Sequence, residues 1–160
     1  MAKYKVEGRT FKVHIVVDVS KTYPKLLPDT EKEKAKTDSN IKIEWAEFLY
    51  WNWELASIIN KEARNPDGSI DFIKLREAKL KYLLIDWSLE EDGKKIKIER
   101  KNKTLTPECL KEIKEIHPVI LNAFLNKADL ILELGEEEED FFIKNSPPTG
   151  EQSTQAEKQG

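Results

Sequence analysis

The most informative stretch of this chain is LREAKLKYLLIDWSLEEDGKKIKIERKNKTLTPECLKEI, from Leu75 to Ile113. Its first part has apolar residues at helical spacing, and after Trp87 the turn residues Glu91–Gly93 interrupt the pattern. The segment Lys95–Glu99 then alternates with period two, as a short strand or extended loop would. A second helix begins at Thr106–Glu108, where a threonine cap, a proline and an acid form a helix start. We therefore predict a helix, a turn, an extended segment and a helix.

Further helices are predicted on both sides of this stretch. Upstream, Ser69 or Asp71 caps the first helix, which follows a turn at Asn65–Gly68. Downstream, Pro118 interrupts the second helix, and a further apolar helix runs from there to Gly135, a typical helix end.

The tryptophan-rich segment before Asn65 is also predicted to be helical. Ser39 or Asn40 can cap a helix that starts near Ile41 and stops near Arg64. Its apolar residues recur at three- and four-residue steps. They are Trp45, Phe48, Leu49, Leu55, Ala56 and Ile59.

The N-terminal part is expected to contain the β-structure. Residues Tyr4–Val13 alternate large apolar and polar side chains on both sides of Gly8, which predicts a β-hairpin with Gly8 in the turn. Residues Lys21–Asn40 contain two prolines and many charges, which predicts a long solvated connection.

The predicted fold class is therefore mainly α (α+β). A single four-helix-type domain with a short N-terminal β-hairpin is expected over residues 1–135. Residues 136–160 begin with five consecutive acids and end in a polar stretch, which predicts an acidic and then disordered tail.

Composition limits the classes of function. The chain has 160 residues, 39% of them hydrophobic, which is enough for one core. Charged residues make up 36% but the net charge is only −3, so the overall charge disfavours binding of nucleic acid. The single cysteine, Cys109, excludes an intramolecular disulfide and is interpreted as a structural thiol. No membrane span or signal peptide is expected, and the cytosol of the producing cell is the default location.

No catalytic or metal-binding motif stands out. His14, His117 and Cys109 are too few and too scattered for a recognisable zinc site. The six glycines are isolated from one another, so a phosphate-binding loop is not predicted. The paired acids are what thirty carboxylates produce by chance. A non-enzymatic protein without a cofactor is therefore expected.

Interaction surfaces are the more informative candidates. On the predicted tryptophan-rich helix, Tyr50 and Trp53 fall away from the apolar stripe, which predicts a docking face or, alternatively, a helix covered on both sides. Phe141 and Phe142 adjoin the acidic run and form a second candidate partner-binding motif. A basic patch is interpreted as a solvated hairpin, with phosphate or acidic protein surfaces as the alternative. It comprises Lys94, Lys95, Lys97, Arg100, Lys101 and Lys103.

Three segments, taken together and in order, resemble the tail assembly chaperones of long-tailed bacteriophages. They are the glycine-centred opening Tyr4–Val13, the helix with its tryptophan from Leu75 to Leu89, and the helix restart Leu105–Leu110. The resemblance implies a protein that binds the tape measure protein and recruits tail tube proteins in the host cytoplasm, and that is absent from the finished particle. It also implies that a frameshifted longer product can follow the polar tail.

Two alternatives stay open at this point, and self-association is compatible with each of them. A structural virion protein of the neck, connector or capsid would remain in the particle. A small nucleic-acid-binding regulator would use the basic patch, and its binding would be sensitive to salt.

Overall fold

The computed structural model describes residues 4–134 of the chain. A four-stranded antiparallel sheet forms its centre, in the order β2-β1-β3-β4. The strands are β1 (Thr10–Asp18), β2 (Lys25–Leu27), β3 (Ile41–Leu49) and β4 (Leu84–Trp87). The long strands β1 and β3 pair along their whole length, from Thr10 opposite Leu49 to Asp18 opposite Ile41.

Four α-helices accompany the sheet: α1 (Trp53–Glu62), α2 (Phe72–Leu83), α3 (Pro107–Ile113) and α4 (Pro118–Leu134). A 3-10 helix, Asp29–Lys36, lies between β2 and β3. Two small hairpins connect β4 to α3. They are β5 (Glu90–Glu91) with β6 (Lys94–Lys95), and β7 (Arg100–Lys101) with β8 (Thr104–Leu105).

One face of the sheet carries the core. Because side chains alternate along a strand, Phe11, Val13, Ile15 and Val17 share this face of β1, and all four are buried. Buried residues of all four α-helices belong to the same cluster. Its largest member is Trp87, which is fully buried and donates a hydrogen bond of 2.8 Å from Nε1 to the carbonyl oxygen of Ile96. The helices therefore pack together on a single face.

The opposite face is partly covered by the segment that joins β2 to β3. This segment must cross β1, which lies between those strands, and its 3-10 helix contacts both β1 and β3. Val16 points to this face and is nevertheless buried, as is Ile41. Lys127 of α4 forms an ion pair of 2.5 Å with Asp29, which ties the start of the 3-10 helix to the helical layer.

The prediction of a mainly α, four-helix-type domain is wrong, because residues 4–134 form an α+β fold with 41% helix and 27% strand. The error lies in residues 41–64. Residues Ile41–Leu49 form a central strand, and α1 begins only at Trp53. Trp45, Phe48 and Leu49 fit a helical spacing, but Ile41-Lys42-Ile43-Glu44 also alternates, and pairing with β1 and β4 determines the outcome.

Two N-terminal predictions are also wrong in part. Gly8 lies in a turn with a φ of 77°, as predicted, but among residues 4–9 no strand forms, and β1 pairs with β2 and β3 instead of a hairpin partner. The connection Lys21–Asn40 is not irregular throughout, since it contains β2 and the 3-10 helix.

The predicted helix starts at Asp71 and Thr106 are confirmed, whereas the cap predicted at Ser39 or Asn40 is wrong because a strand follows it. Asp71 Oδ1 accepts hydrogen bonds from the backbone N–H groups of Ile73 and Lys74, and Thr106 Oγ1 accepts one from Cys109. The predicted turn at Asp92–Gly93 has positive φ at both residues, which is the geometry of a type I′ hairpin turn. Residues 135–160, with the predicted helix end at Gly135 and the predicted disordered tail, lie outside the described residues.

Candidate partner-binding surfaces

Tyr50 lies in the short link between β3 and α1 rather than on a helix. Its backbone N–H donates to the carbonyl oxygen of Arg9 at 2.9 Å, and its ring centroid is 4.8 Å from that of Phe11. The Arg9 guanidinium lies 5.7 Å from the same ring. The helical-wheel argument that selected Tyr50 is therefore wrong, and this half-buried side chain contributes to packing at the end of the sheet.

Trp53 is the most exposed large apolar side chain among residues 4–134, with 93% of its surface accessible. It is the first residue of α1, directly after Asn52, whose Oδ1 accepts a hydrogen bond of 2.8 Å from the Leu55 N–H. This cap fixes where the helix begins and so holds the indole at the helix start. An exposed indole is the kind of side chain that anchors protein interfaces.

Phe141 and Phe142 lie outside the described residues, so their assignment to partner binding stays a prediction. Two further exposed apolar side chains were not selected from sequence. Phe72 and Ile73, in the first turn of α2, are 68% and 76% exposed, although their spacing places them in the apolar stripe of that helix. Three- and four-residue spacing does not show where the buried part of a stripe ends.

A groove, here called the acidic groove, has a volume of about 840 Å³. Its walls come from the end of β1 and the following loop, from β3, from the first hairpin and from the region between α3 and α4. Its apolar lining includes Val17, Leu89, Ile96, Ile116 and Ile120. Tyr23 and His117 face each other beside it with ring centroids 5.8 Å apart.

Five carboxylates and one ammonium group, that of Lys21, line the acidic groove. The carboxylates are those of Glu44, Glu90, Glu91, Glu112 and Glu115. Within residues 4–134, none of them forms an ion pair, whereas seven other acids do. Burial raises the pKa of Glu44. A hydrogen bond from Ser88 at 3.1 Å and the positive charge of Lys42 lower this pKa, and the negative charge of Glu90 raises it. The groove therefore combines an apolar lining with carboxylates that form no ion pair within residues 4–134.

The basic patch is less available than its sequence indicates. Arg100 points inward and donates hydrogen bonds to the carbonyl oxygens of Leu84, Tyr82 and Lys103 at 2.7, 3.0 and 2.8 Å. Lys95 pairs with Asp86 at 2.8 Å. Two of the six cations are thus engaged within the chain.

The side chains that could take part in catalysis or bind a metal ion do not form a common site within residues 4–134. Cys109 is buried, burial raises the pKa of its thiol, and its Sγ accepts a hydrogen bond of 3.3 Å from the Glu99 N–H. A raised thiol pKa disfavours the reactive thiolate. Burial also lowers the pKa of His14, with help from Lys127 and Lys12. In the described part of the chain, His, Cys, Asp and Glu residues form no group that could hold a metal ion.

Comparison with known proteins gives no relative: no protein-family model, no curated protein and no solved structure matches the chain. Of the helices within residues 4–134, none has the length and apolar character needed to cross a membrane.

Proposed function

We propose that the chain is a non-enzymatic tail assembly chaperone of a long-tailed bacteriophage, which binds the tape measure protein and tail tube proteins in the host cytoplasm. The observation that carries the proposal is the exposure of Trp53, held at the capped start of α1. A chaperone of this kind must present apolar surface to an aggregation-prone client while remaining folded itself.

The resemblance in sequence supports the same proposal. Two of the three segments that carry it, Leu75–Leu89 and Leu105–Leu110, form α2, the strand ending at Trp87 and the capped start of α3, in that order. The third, Tyr4–Val13, does not form the expected hairpin. The order of the first two accounts for the resemblance without the four-helix-type domain that was expected from sequence. The fold alone does not distinguish a chaperone from a structural virion protein, so the partner must be identified by experiment.

The test is affinity capture of the tagged chain from cells that produce the particle, with mass spectrometry of the captured proteins and of the purified particles. We expect a tape measure or tail tube protein in the captured material and no copy of this chain in the particles. A stoichiometric copy in the particles would instead support the structural virion protein. Recovery of nucleic acid alone, lost at high salt, would support the regulator.

Variants of two matched residues assign the surface. Trp53 and Phe72 are each the first residue of a helix and are each exposed. Trp53→Ser is expected to reduce capture of the client at least tenfold, as for an interface anchor, and a loss with Phe72→Ser as well would extend the binding surface to α2. The control is Lys61→Ser, at an exposed position in the last turn of α1, which should leave capture unchanged. All three variants should keep the wild-type melting temperature. Tyr50 is unsuitable for this test, because its contact with Phe11 makes loss of stability the expected result.

A further inference from the structure

The acidic groove has features that the proposed contact through Trp53 does not use. It is concave and has an apolar lining, and within the described residues none of its five carboxylates forms an ion pair, although Lys94 and Lys95 lie opposite Glu91 and Glu90 on the hairpin. A surface ion pair contributes little to stability in most proteins, so unpaired exposed acids are unremarkable singly. Here five acids line one cleft. One of them, Glu44, is half-buried, which makes its ionised form less favourable than it is in water.

We propose that the acidic groove binds an extended segment of a partner protein in which lysine or arginine alternates with apolar residues. Charge complementarity selects the basic residues, because five carboxylates face a single ammonium group. The lining of Val17, Ile96 and Ile120 selects the apolar residues between them. In an extended segment, successive side chains point to opposite sides, so one set can contact the lining while the other meets the glutamates at the rim.

The position of the charges in the groove favours a basic partner segment over the chain's own acidic run, Glu136–Asp140. Glu112 and Glu115 are exposed residues at the end of α3 and after it, and Glu90 and Glu91 are exposed on the facing hairpin. A segment lying between them passes acids on both sides. The run Glu136–Asp140 would add five negative charges to this cleft and is therefore disfavoured there.

The test uses fluorescence anisotropy with the full chain and three labelled synthetic peptides of eleven residues. The first alternates lysine with leucine or valine, the second replaces the lysines by glutamate, and the third replaces the apolar residues by serine. We expect only the first peptide to bind measurably, and its affinity to fall as salt is added. Equal binding of the first and third peptides would overturn the proposal, because the apolar lining would then have no role.

A charge-matched pair of triple variants locates the binding site. Glu91→Gln, Glu112→Gln and Glu115→Gln together remove three carboxylates from the acidic groove and are expected to weaken peptide binding about tenfold. Glu7→Gln, Glu54→Gln and Glu133→Gln remove three exposed carboxylates that do not line it and should leave binding unchanged. Equal losses in the two variants would show attraction to the acidic chain as a whole and would overturn the proposal.

Sedimentation of the chain alone tests the other occupant, a second copy. A dimer that dissociates in the groove variant and persists in the control variant would assign the acidic groove to self-association instead of a partner segment. The proposal that the acidic groove binds a basic segment does not depend on the proposed chaperone function. If the chain binds the first peptide but captures no tail protein, the groove proposal stands and the chaperone proposal is wrong.

Discussion

Two partly buried charged sites differ in whether an opposite charge lies within ion-pair distance. Between α2 and α4, Lys79 is only 8% exposed, and its Nζ lies 2.6 Å from a carboxylate oxygen of Asp129 and 5.5 Å from the ring centroid of Trp51. In the acidic groove, half-buried Glu44 has a hydroxyl partner, Ser88, but no cation within ion-pair distance. Charge that is compensated within the chain holds the helices together, whereas uncompensated charge remains available to another molecule.

The largest effect should come from breaking the compensated pair. Asp129→Ala is expected to lower the free energy of unfolding by about 2 to 3 kcal/mol, because the buried ammonium group of Lys79 loses its carboxylate. Denaturant unfolding measures the change. The double variant Lys79→Met with Asp129→Ala should recover most of the loss, since the buried charge is then gone. An equal loss in the single and double variants would show that Asp129 acts through packing alone.

Arg100 is a second cation whose charge is satisfied within the chain. Its partners are backbone carbonyl groups, where Lys79 has a carboxylate. Arg100→Met removes three hydrogen bonds from a cation and is expected to lower the free energy of unfolding by about 2 kcal/mol. The neighbouring, exposed Lys101 provides the control, and Lys101→Met should change it by less than about 0.5 kcal/mol. Similar values for the two variants in chemical denaturation would contradict the stabilising role of Arg100.

Substitution of a surface acid should lower stability slightly where the acid forms an ion pair and should not lower it where the acid forms none. Glu77 forms an ion pair of 2.6 Å with Lys114, and Glu77→Gln is expected to cost about 0.5 kcal/mol of stability. The triple groove variant at Glu91, Glu112 and Glu115 should cost nothing or slightly stabilise the chain, because it relieves repulsion between like charges. Thermal melts at low and high salt measure both effects. A clear loss of stability in the groove variant would contradict the comparison.

The smallest effect concerns Glu44 and depends on pH. Its pKa is raised above the ordinary value of 4.5, so ionisation is less favourable in the folded chain than in the unfolded chain. The ionised carboxylate therefore costs stability at pH 7, and this cost disappears as the pH falls through the raised pKa.

Glu44→Gln should accordingly be slightly more stable than the wild type at pH 7 and equally stable near pH 4. Melting temperatures of both proteins at the two pH values measure this, with Glu133→Gln as an exposed control. A constant difference at the two pH values would mean that Glu44 affects stability by some route other than its ionisation.

The parts of the fold that sequence predicted correctly depend on neighbouring residues. Asp71 and Thr106 cap helices through bonds to backbone groups two or three positions away, so the signal lies within a few residues of sequence. Strand β3 depends on partners far along the chain, since Phe48 pairs with Phe11 and with Leu84. Periodicity within Ile41–Leu49 fits two structures, and only those distant partners select the strand.

The candidate surfaces differ in the same way. Trp53 was selected from sequence and is exposed, although the helix face that selected it does not exist. The acidic groove was missed, because its walls come from segments as distant as Val17, Glu44 and Ile120. The pair Glu112 and Glu115 was a visible signal, but sequence alone does not bring it opposite Glu90 and Glu91. A cleft assembled by tertiary structure is predictable only once the sheet order is known.

The full-length pairing of β1 with β3 also determines how the chain folds. The pairs Asp18–Ile41 and Thr10–Leu49 join residues that are far apart in the chain, so this pairing requires closure of a long loop. Pairing of β4 with β3 closes a further loop, which contains α1 and α2. High contact order slows folding, so refolding should take on the order of milliseconds or longer, more slowly than a helical bundle of this size. Until β4 docks, the apolar edge of β3 is open to other chains, and a protein expected to protect a client is itself most vulnerable to aggregation in that interval.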